Sequence, residues 1–535
     1  MAKILFINPV IRLDDNPKHV PYGIALLAAI CSDAGHQVQI YDANAWRGGD
    51  DVLQEALEAD NWDVVGVGGI TTTYAYVKNT MALAKRFAPQ AVTVVGGGLL
   101  TAMPKDIMEF IPEIDLGLVG EAFQSFPKIL ENIDAGDNDW SKLLGIAYRN
   151  AEGKIRLTPP QPLLEDLDSL PYPAWDMFPL ETYWENSSLL FSEEAYTSKR
   201  RLDINASYGC SFICRFCFHL GITGDLEYTE GPDGLDVGFS YKRDIRYHSP
   251  KYIVDMVKYV NETFGVDFVL FLDENLMTMN SYSRGKWLPE IANLWIEEGL
   301  QPQCRKEGVP HTEDNCTYGV HWGGTSHATL VKPELLDLLH LSGCSQLVYG
   351  LESFSDRILK NLGKGTTAKT NESALLATLA SGIRPLPNQI MGFPDEFFDS
   401  IRDSVYAWDR LGIMVKPFFA TPYPGSEWYY AYKDSILEQY GGDLEAFLLD
   451  LGDATELTAV ISENFNAVEL LGLRELMINR DLKRINEYEK IWRERHGEPV
   501  IPDFVHQKKD SGNSKYSFHI EATDTKPAGV SGNDD

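Results

Sequence analysis

Cys210, Cys214 and Cys217 lie within eight residues in a 535-residue chain that has only seven cysteines. The string Tyr208-Gly209-Cys210-Ser211-Phe212-Ile213-Cys214-Arg215-Phe216-Cys217 has the spacing CxxxCxxC. Three thiolates from one short loop can each ligate an iron of a cubane cluster and leave the fourth iron open to a small molecule. Zinc is the alternative: it wants four protein ligands, commonly from paired CxxC spacings, and His219 could supply the fourth. A second metal-capable group is Cys304, His311, Cys316, His321 and His327. Its Cys304-x11-Cys316 spacing matches no established ligand pattern. Residues 304–327 read instead as a substrate-facing loop between helix and strand, with Trp322, Gly323 and Gly324 approaching an active site. Cys31, in an apolar helix, and Cys344, at a strand start, read as small core residues. So few cysteines in so long a chain argue against a disulfide framework.

The elements that must position these residues alternate strand and helix. Strands are expected at Lys3–Ile7, His36–Tyr41, Asp63–Gly68, Ala91–Val95 and Leu116–Val119, with helices between them. Such alternation implies a doubly wound parallel sheet. Its ligands bind at the carboxyl ends of the strands, here Gly68–Thr73, Gly96–Gly98 and Gly120-Glu121. A hairpin is expected at 145–157 around Asn150-Ala151-Glu152-Gly153. A linker punctuated by Pro159, Pro171, Pro173 and Pro179 follows. From about Arg201 the alternation resumes, with strands at Leu202–Ala206, Phe268–Leu272, Ser345–Tyr349, Leu386–Met391 and Val415–Ala420. This is a βα series of barrel type, whose functional groups belong at strand carboxyl ends. The cysteine loop, Asp273-Glu274-Asn275, Gly350-Leu351-Glu352-Ser353, Gly392-Phe393-Pro394 and Pro422–Ser426 all fall there. Beyond Trp428 the pattern is helical, notably Ala467–Tyr488, and from about His506 it is polar, as in a disordered tail.

The cysteine loop after a first barrel strand, with an aromatic before its last cysteine, closely resembles that of the radical S-adenosylmethionine (SAM) superfamily. The later strand ends resemble the same family in order and spacing. Asp273-Glu274-Asn275 stands where the family binds the methionyl amino group, with Glu274 the closer match and Asp273 the alternative. Glu352 and Ser353 resemble its ribose and carboxylate contact. Gln389–Pro394, including Gly392, resembles the strand beside adenine, Phe216 belongs to the cysteine loop, and Pro422-Tyr423-Pro424-Gly425-Ser426 resembles the family's PyPGT turn. The first 130 residues resemble the cobalamin-binding domain that precedes the barrel in one large branch. The resemblance rests there on GVGGITTT (66–73), VVGGGLLTAMP (94–104) and Gly120-Glu121, and it implies cobalamin contacts at Gly69, Thr71, Thr72, Thr73, Gly97, Gly98, Gly120 and Glu121. The Asp-x-His-x-x-Gly loop that ligates cobalt in cobalamin mutases is missing, and neither His19 nor His36 sits in such a motif.

The resemblance implies an α/β architecture in five parts: a Rossmann-like cobalamin-binding domain (1–140), a hairpin and Pro-rich linker (141–198), a partial (β/α)6 barrel (199–430), a helical region (431–505) and a tail (506–535). It implies a [4Fe-4S] cluster on Cys210, Cys214 and Cys217, SAM, cobalamin, and an electron donor such as flavodoxin or ferredoxin. The activity it implies is methylation of an unactivated carbon of a small molecule, through a 5′-deoxyadenosyl radical and methylcobalamin. An oxidative cyclase with the same cofactors, or a non-catalytic cluster or cobalamin sensor, are the alternatives. The set Cys210, Cys214, Cys217, Glu274 and Glu352 favours an enzyme.

Composition narrows the partners. With 47 Lys+Arg against 78 Asp+Glu the formal charge is −31, which disfavours nucleic acid and anionic lipid surfaces. No apolar run approaches the roughly 18 residues that span a bilayer. The opening Met1–Pro9 is broken too soon for a signal peptide, so a cytoplasmic location is expected. The long insertion 220–248 is a plausible lid, with Arg243 and Arg246 either surface charges or contacts to an anion. Trp428, Tyr429 and Tyr430 either line a pocket or pack the C-terminal helices.

Overall fold

The computed structural model describes residues 1–12, 15–186, 192–218, 227–232, 234–238 and 244–502. His219, Arg243, much of the 220–248 insertion and the expected tail lie outside the described residues.

The first layer is built on β1 (Lys3–Asn8), β2 (Gln37–Asp42), β3 (Val64–Gly68), β4 (Val92–Gly96) and β5 (Leu116–Leu118). All pair in parallel, in the order 2-1-3-4-5. β1 and β3 are almost wholly buried because helices cover both faces of the sheet. The winding reverses between β1 and β3, and the crevice at such a reversal is where doubly wound sheets bind ligands. The hairpin of β6 (Ile146–Arg149) and β7 (Ile155–Leu157) continues this sheet past residue 140, with β6 antiparallel to β5. The following segment is strapped to its neighbours. Tyr183 and Asn8 each hydrogen-bond the buried Asp42 carboxylate at 2.7 Å. The Asp168 carboxylate accepts from Ser249 N at 3.0 Å, just before the helix Pro250–Phe264.

The second layer is a six-stranded, all-parallel half-barrel: β8 (Arg201–Ile204), β9 (Phe268–Phe271), β10 (His321–Ser326), β11 (Cys344–Glu352), β12 (Arg384–Met391) and β13 (Phe418–Phe419). β10 corrects the sequence reading, which took this stretch for a loop. His-Trp-Gly-Gly-Thr-Ser lacks the β-branched run of a buried strand, and its glycines argue for a turn. They are needed for close approach instead. A Cβ on Gly323 would lie 2.6 Å from Gln346 Cγ, and one on Gly324 would lie 2.8 Å from Leu276 Cδ2.

The expected helix at Ala467–Tyr488 is two helices, Ala467–Ile478 and Leu482–His496. The chain breaks at Arg480, whose φ is 54°. Cys31 and Cys344 are buried core residues, as expected. Among the described residues no helix is long and apolar enough to cross a membrane.

Candidate active site at the barrel mouth

The cysteine loop leaves β8 through Ser207-Tyr208, which pairs antiparallel with Arg246-Tyr247, and turns at Gly209, whose φ of 99° suits glycine. The loop is pinned from both sides. Arg215 N donates to Leu362 O at 3.1 Å, and Trp428 N donates to Arg215 O at 3.2 Å. The Arg215 guanidinium pairs with the buried Glu427 carboxylate. Phe212 stacks on the His327 ring with centroids 3.6 Å apart. The sulfurs are thereby held inward: Cys210 and Cys214 are buried and Cys217 is half-buried.

Burial pushes the Cys210 and Cys217 thiols up, and the Glu274 carboxylate adds to this in both. As free thiols they stay protonated at neutral pH. A bound metal inverts that balance, because it holds thiolates outright. Three inward sulfurs without a fourth cysteine therefore fit a cluster with one open iron.

Glu352 and Lys364 stand beside the loop. Lys364 Nζ lies 2.8 Å from Glu352 Oε1, with both side chains buried. Burial opposes the lysine's charge, but the Glu352 carboxylate outweighs it and holds the ammonium above the usual lysine range. Glu352 has a left-handed backbone, φ 61°. Gly350 makes room for the pair, since a Cβ there would lie 2.5 Å from Glu352 Oε1. A cavity of about 290 Å³ opens here, lined by Phe216, Gly350, Glu352, Asn388, Thr421 and Trp428 among others.

The sequence-derived residues divide. Glu274 is exposed at the end of β9 and acts on the cysteines electrostatically. Asp273 is buried, and its carboxylate is taken up by the Ser207 hydroxyl and by Ala206 N at 3.1 Å. Ser353 Oγ accepts from Ser355 N at 3.1 Å within its own turn. Gln389 is buried but is not among the cavity residues, which include its neighbours Asn388 and Ile390; side chains alternate along a strand. Gly392 has φ 85° and its N–H donates to Glu396. Trp428 lines the cavity, whereas Tyr429 packs on Phe447 with centroids 6.4 Å apart. Lys364 and Asn275, whose Nδ2 lies 3.8 Å from Cys210 Sγ, were not anticipated. The signal for Lys364 is its place between Gly363 and Gly365, both left-handed. Asn275 Oδ1 and Gln389 Nε2 are buried without a hydrogen-bond partner, as expected of groups left for a polar ligand.

At the carboxyl edge of the first sheet the loops interlock. Leu99 N donates to Gly69 O at 3.0 Å, and Gly69 N to Gly96 O at 3.0 Å. Gly97, with φ 85°, could carry no Cβ, which would lie 2.6 Å from Gly69 O. Thr71 and Thr73 are buried and Thr72 half-buried in the short 3-10 turn after Ile70, itself 49% exposed. Gly98 opens the helix Gly98–Ala102, and Gly120 N donates to Thr101 Oγ1 at 3.0 Å. Glu121 is engaged otherwise: it pairs with the buried Arg246 at 2.7 Å and accepts from Leu164 N at 2.9 Å. Of this domain's two histidines, His19 pairs with Asp203 at 2.6 Å. His36 Nδ1 accepts from Ala2 N, at the opposite edge of the sheet. This edge faces the barrel mouth: Val67, Leu99, Met103 and Val119 share one buried apolar cluster with Phe393, Trp428 and Tyr429.

Fold and site define a class: a half-barrel with an open-site cysteine loop at its mouth, facing the ligand edge of a Rossmann-like domain. Family models agree. Residues 10–130 match the B12 binding domain and residues 204–405 the radical SAM superfamily. The chain belongs to the radical SAM superfamily and carries a B12-binding domain ahead of its barrel. An uncharacterized methyltransferase of Pyrococcus horikoshii, PH0819, is 26% identical over 78% of this chain and 79% of its own length. Cytidylyl-2-hydroxyethylphosphonate methyltransferase of Streptomyces wedmorensis is 25% identical over 87% of this chain and 90% of its own. The anaerobic magnesium-protoporphyrin IX monomethyl ester cyclase of Rubrivivax gelatinosus is 25% identical over 83% and 73%. In fold the chain is similar to the cobalamin-dependent SAM radical enzyme OxsB, with a TM-score of 0.65 at 12% identity, covering 92% of this chain and 71% of that one. The chain is thus a cobalamin-dependent radical SAM enzyme. Its cofactors are a [4Fe-4S] cluster, SAM and cobalamin.

Proposed function

We propose that this enzyme methylates an unactivated carbon of a small molecule bound between its two layers. One observation supports this above the others: the carboxyl edges of both sheets meet across one buried cluster, with the cysteine loop at the junction. The cofactors, when bound, supply one-electron cleavage of SAM and a transferable methyl group. The protein holds, orients and keeps them dry.

Cys210, Cys214 and Cys217 hold the cluster. Glu274 takes the role of amino-group partner, since its carboxylate lies near enough to Cys210 and Cys217 to raise both thiols. Glu352, held by Lys364, lines the cavity, as do Asn388 and Phe216. Gly69, Thr71, Thr72, Thr73, Gly97, Gly98 and Gly120 form the backbone platform for cobalamin, with Ile70 as an apolar contact. Electrons come from a small donor such as flavodoxin or ferredoxin. A reducing compartment suits three metal-binding thiols.

The test needs no substrate at first. The enzyme is purified without oxygen, loaded with iron, sulfide and cobalamin, and reduced in the presence of methyl-labelled SAM. Label should enter the corrin, and 5′-deoxyadenosine should be released. Fully loaded enzyme that releases no more 5′-deoxyadenosine than the Cys210→Ala variant overturns the radical assignment. 5′-deoxyadenosine without label transfer or S-adenosylhomocysteine overturns methylation in favour of the oxidative cyclase.

A further inference from the structure

Away from the barrel mouth, four side chains converge that neither layer's cofactor uses. Cys304 lies in the short helix Gln303–Glu307, His311 and Cys316 in the loop that follows, and His321 at the first position of β10. Cys304 Sγ is 3.4 Å from Cys316 Sγ, 3.7 Å from His321 Nε2 and 3.8 Å from His311 Nδ1. Cys316 Sγ is 3.4 Å from His321 Nε2. All four donor atoms lie within 4.8 Å of one another.

The four shortest of the six separations are close to those of a tetrahedron. Zinc bonds of about 2.3 Å to sulfur and about 2.0 Å to nitrogen place two sulfurs about 3.8 Å apart and sulfur about 3.6 Å from nitrogen. An ion at the centre would draw the widest pair in from 4.8 Å by roughly 1.3–1.5 Å.

Each histidine is also turned correctly. His321 Nδ1 faces Gly343 O at 3.3 Å, which leaves Nε2 for the sulfurs. His311 Nε2 meets Thr197 Oγ1 at 2.8 Å, which leaves Nδ1. Outer partners of this kind fix the tautomer of a metal-bound imidazole.

We propose that Cys304, His311, Cys316 and His321 form a closed zinc site that clamps the amino-terminal end of the half-barrel. Two thiolates and two neutral imidazoles suit zinc over the oxygen-seeking divalent ions. Binding displaces two thiol protons to solvent, with no change of oxidation state. Four protein ligands leave no open position, so the site is structural. Its place agrees: His321 begins β10, and the carboxyl end of that six-residue strand lies roughly 17 Å further on. The clamp joins β10, the Gln303–Glu307 helix and, through Thr197, the Glu193–Thr197 helix. The half-buried Arg305–Glu194 ion pair makes the same connection alongside. The sequence marks this stretch as metal-capable, but its spacing matches no ligand pattern, because the ligands come from a helix, a loop and a strand with no paired CxxC.

The experiment is metal analysis of the full-length protein isolated without oxygen or chelator. Wild type should hold one zinc per chain besides its cluster iron. Cys210→Ala/Cys214→Ala/Cys217→Ala should lose the iron and keep the zinc, and Cys316→Ser should lose the zinc and keep the iron. Zinc-edge absorption should fit two sulfurs near about 2.3 Å and two nitrogens near about 2.0 Å. Zinc-free wild type, zinc lost with the Cys210 loop, or a Cys304–Cys316 disulfide found by mass would overturn the proposal. If Cys316→Ser fails to fold, the wild-type spectrum and the triple variant still decide.

Discussion

Arg246 reaches Glu121 across the boundary between the two layers at 2.7 Å, with 8% and 6% of the side chains exposed. The same guanidinium donates to Leu164 O at 2.6 Å and lies 5.6 Å from the centre of the Tyr208 ring, two residues before Cys210. A residue from the insertion thus ties the first domain's Gly120-Glu121 turn to the cysteine loop.

Removing one partner of such a pair leaves a buried charge uncompensated, which typically costs about 3–5 kcal/mol. Arg246→Met should therefore lower stability by that order in chemical denaturation of the full chain. Arg246→Met/Glu121→Leu should recover most of the loss. A single variant as stable as wild type would show that the pair bears no load between the layers.

Lys364 is the counter-charge to Glu352. Lys364→Met should destabilise the iron-loaded enzyme by about 3 kcal/mol or more and weaken SAM retention in equilibrium dialysis. Glu352→Gln should weaken SAM retention while costing less stability, since a neutral amide beside an ammonium is tolerated better than an orphaned carboxylate.

Glu396 makes stability depend on pH. Burial pushes its carboxyl up to about 8, against the hydrogen bond from Gly392 N. The folded state therefore binds this proton more tightly than the unfolded chain does. Its stabilising contribution is complete below the ordinary glutamate range near about 4.3 and is lost as pH rises through about 8. Thermal unfolding should show Tm falling as pH climbs through neutrality, with a shallower fall in Glu396→Gln. Equal slopes would assign the pH dependence to other groups.

Gly97→Ala tests the cobalamin edge. The positive-φ, extended-ψ backbone of Gly97 is open essentially to glycine and costs other residues about 1–3 kcal/mol, and contact with Gly69 O forces the two loops apart. The variant should be less stable, and protein reconstituted with cobalamin should retain less corrin by absorption after gel filtration.

How much of this was legible beforehand follows from the range of the interactions. Apolar periodicity is local, so the alternating elements and the five-strand parallel core of the first sheet could be read from residues a few positions apart. The cysteine loop is local too: its spacing alone marks three thiols as candidate cluster ligands. β10 escaped because Gly323 and Gly324 answer to Gln346 and Leu276, which contact them only in the folded barrel.

The fate of each acid was decided by tertiary structure. Asp273 and Glu274 are neighbours in sequence, yet one is buried against Ala206 and Ser207 while the other is exposed near the cysteines. Glu121 stands in a cobalamin-like motif and is claimed by Arg246, 125 positions away. Cys304, His311, Cys316 and His321 form a metal-capable group in sequence without a ligand spacing, and a helix and a strand start bring their donor atoms within 4.8 Å. Sequence by itself determined which chemistry the chain could perform, because ligand type and strand-end spacing are local properties. The tertiary structure alone decided which charges and donors are free to perform it, because burial and pairing depend on neighbours distant along the chain.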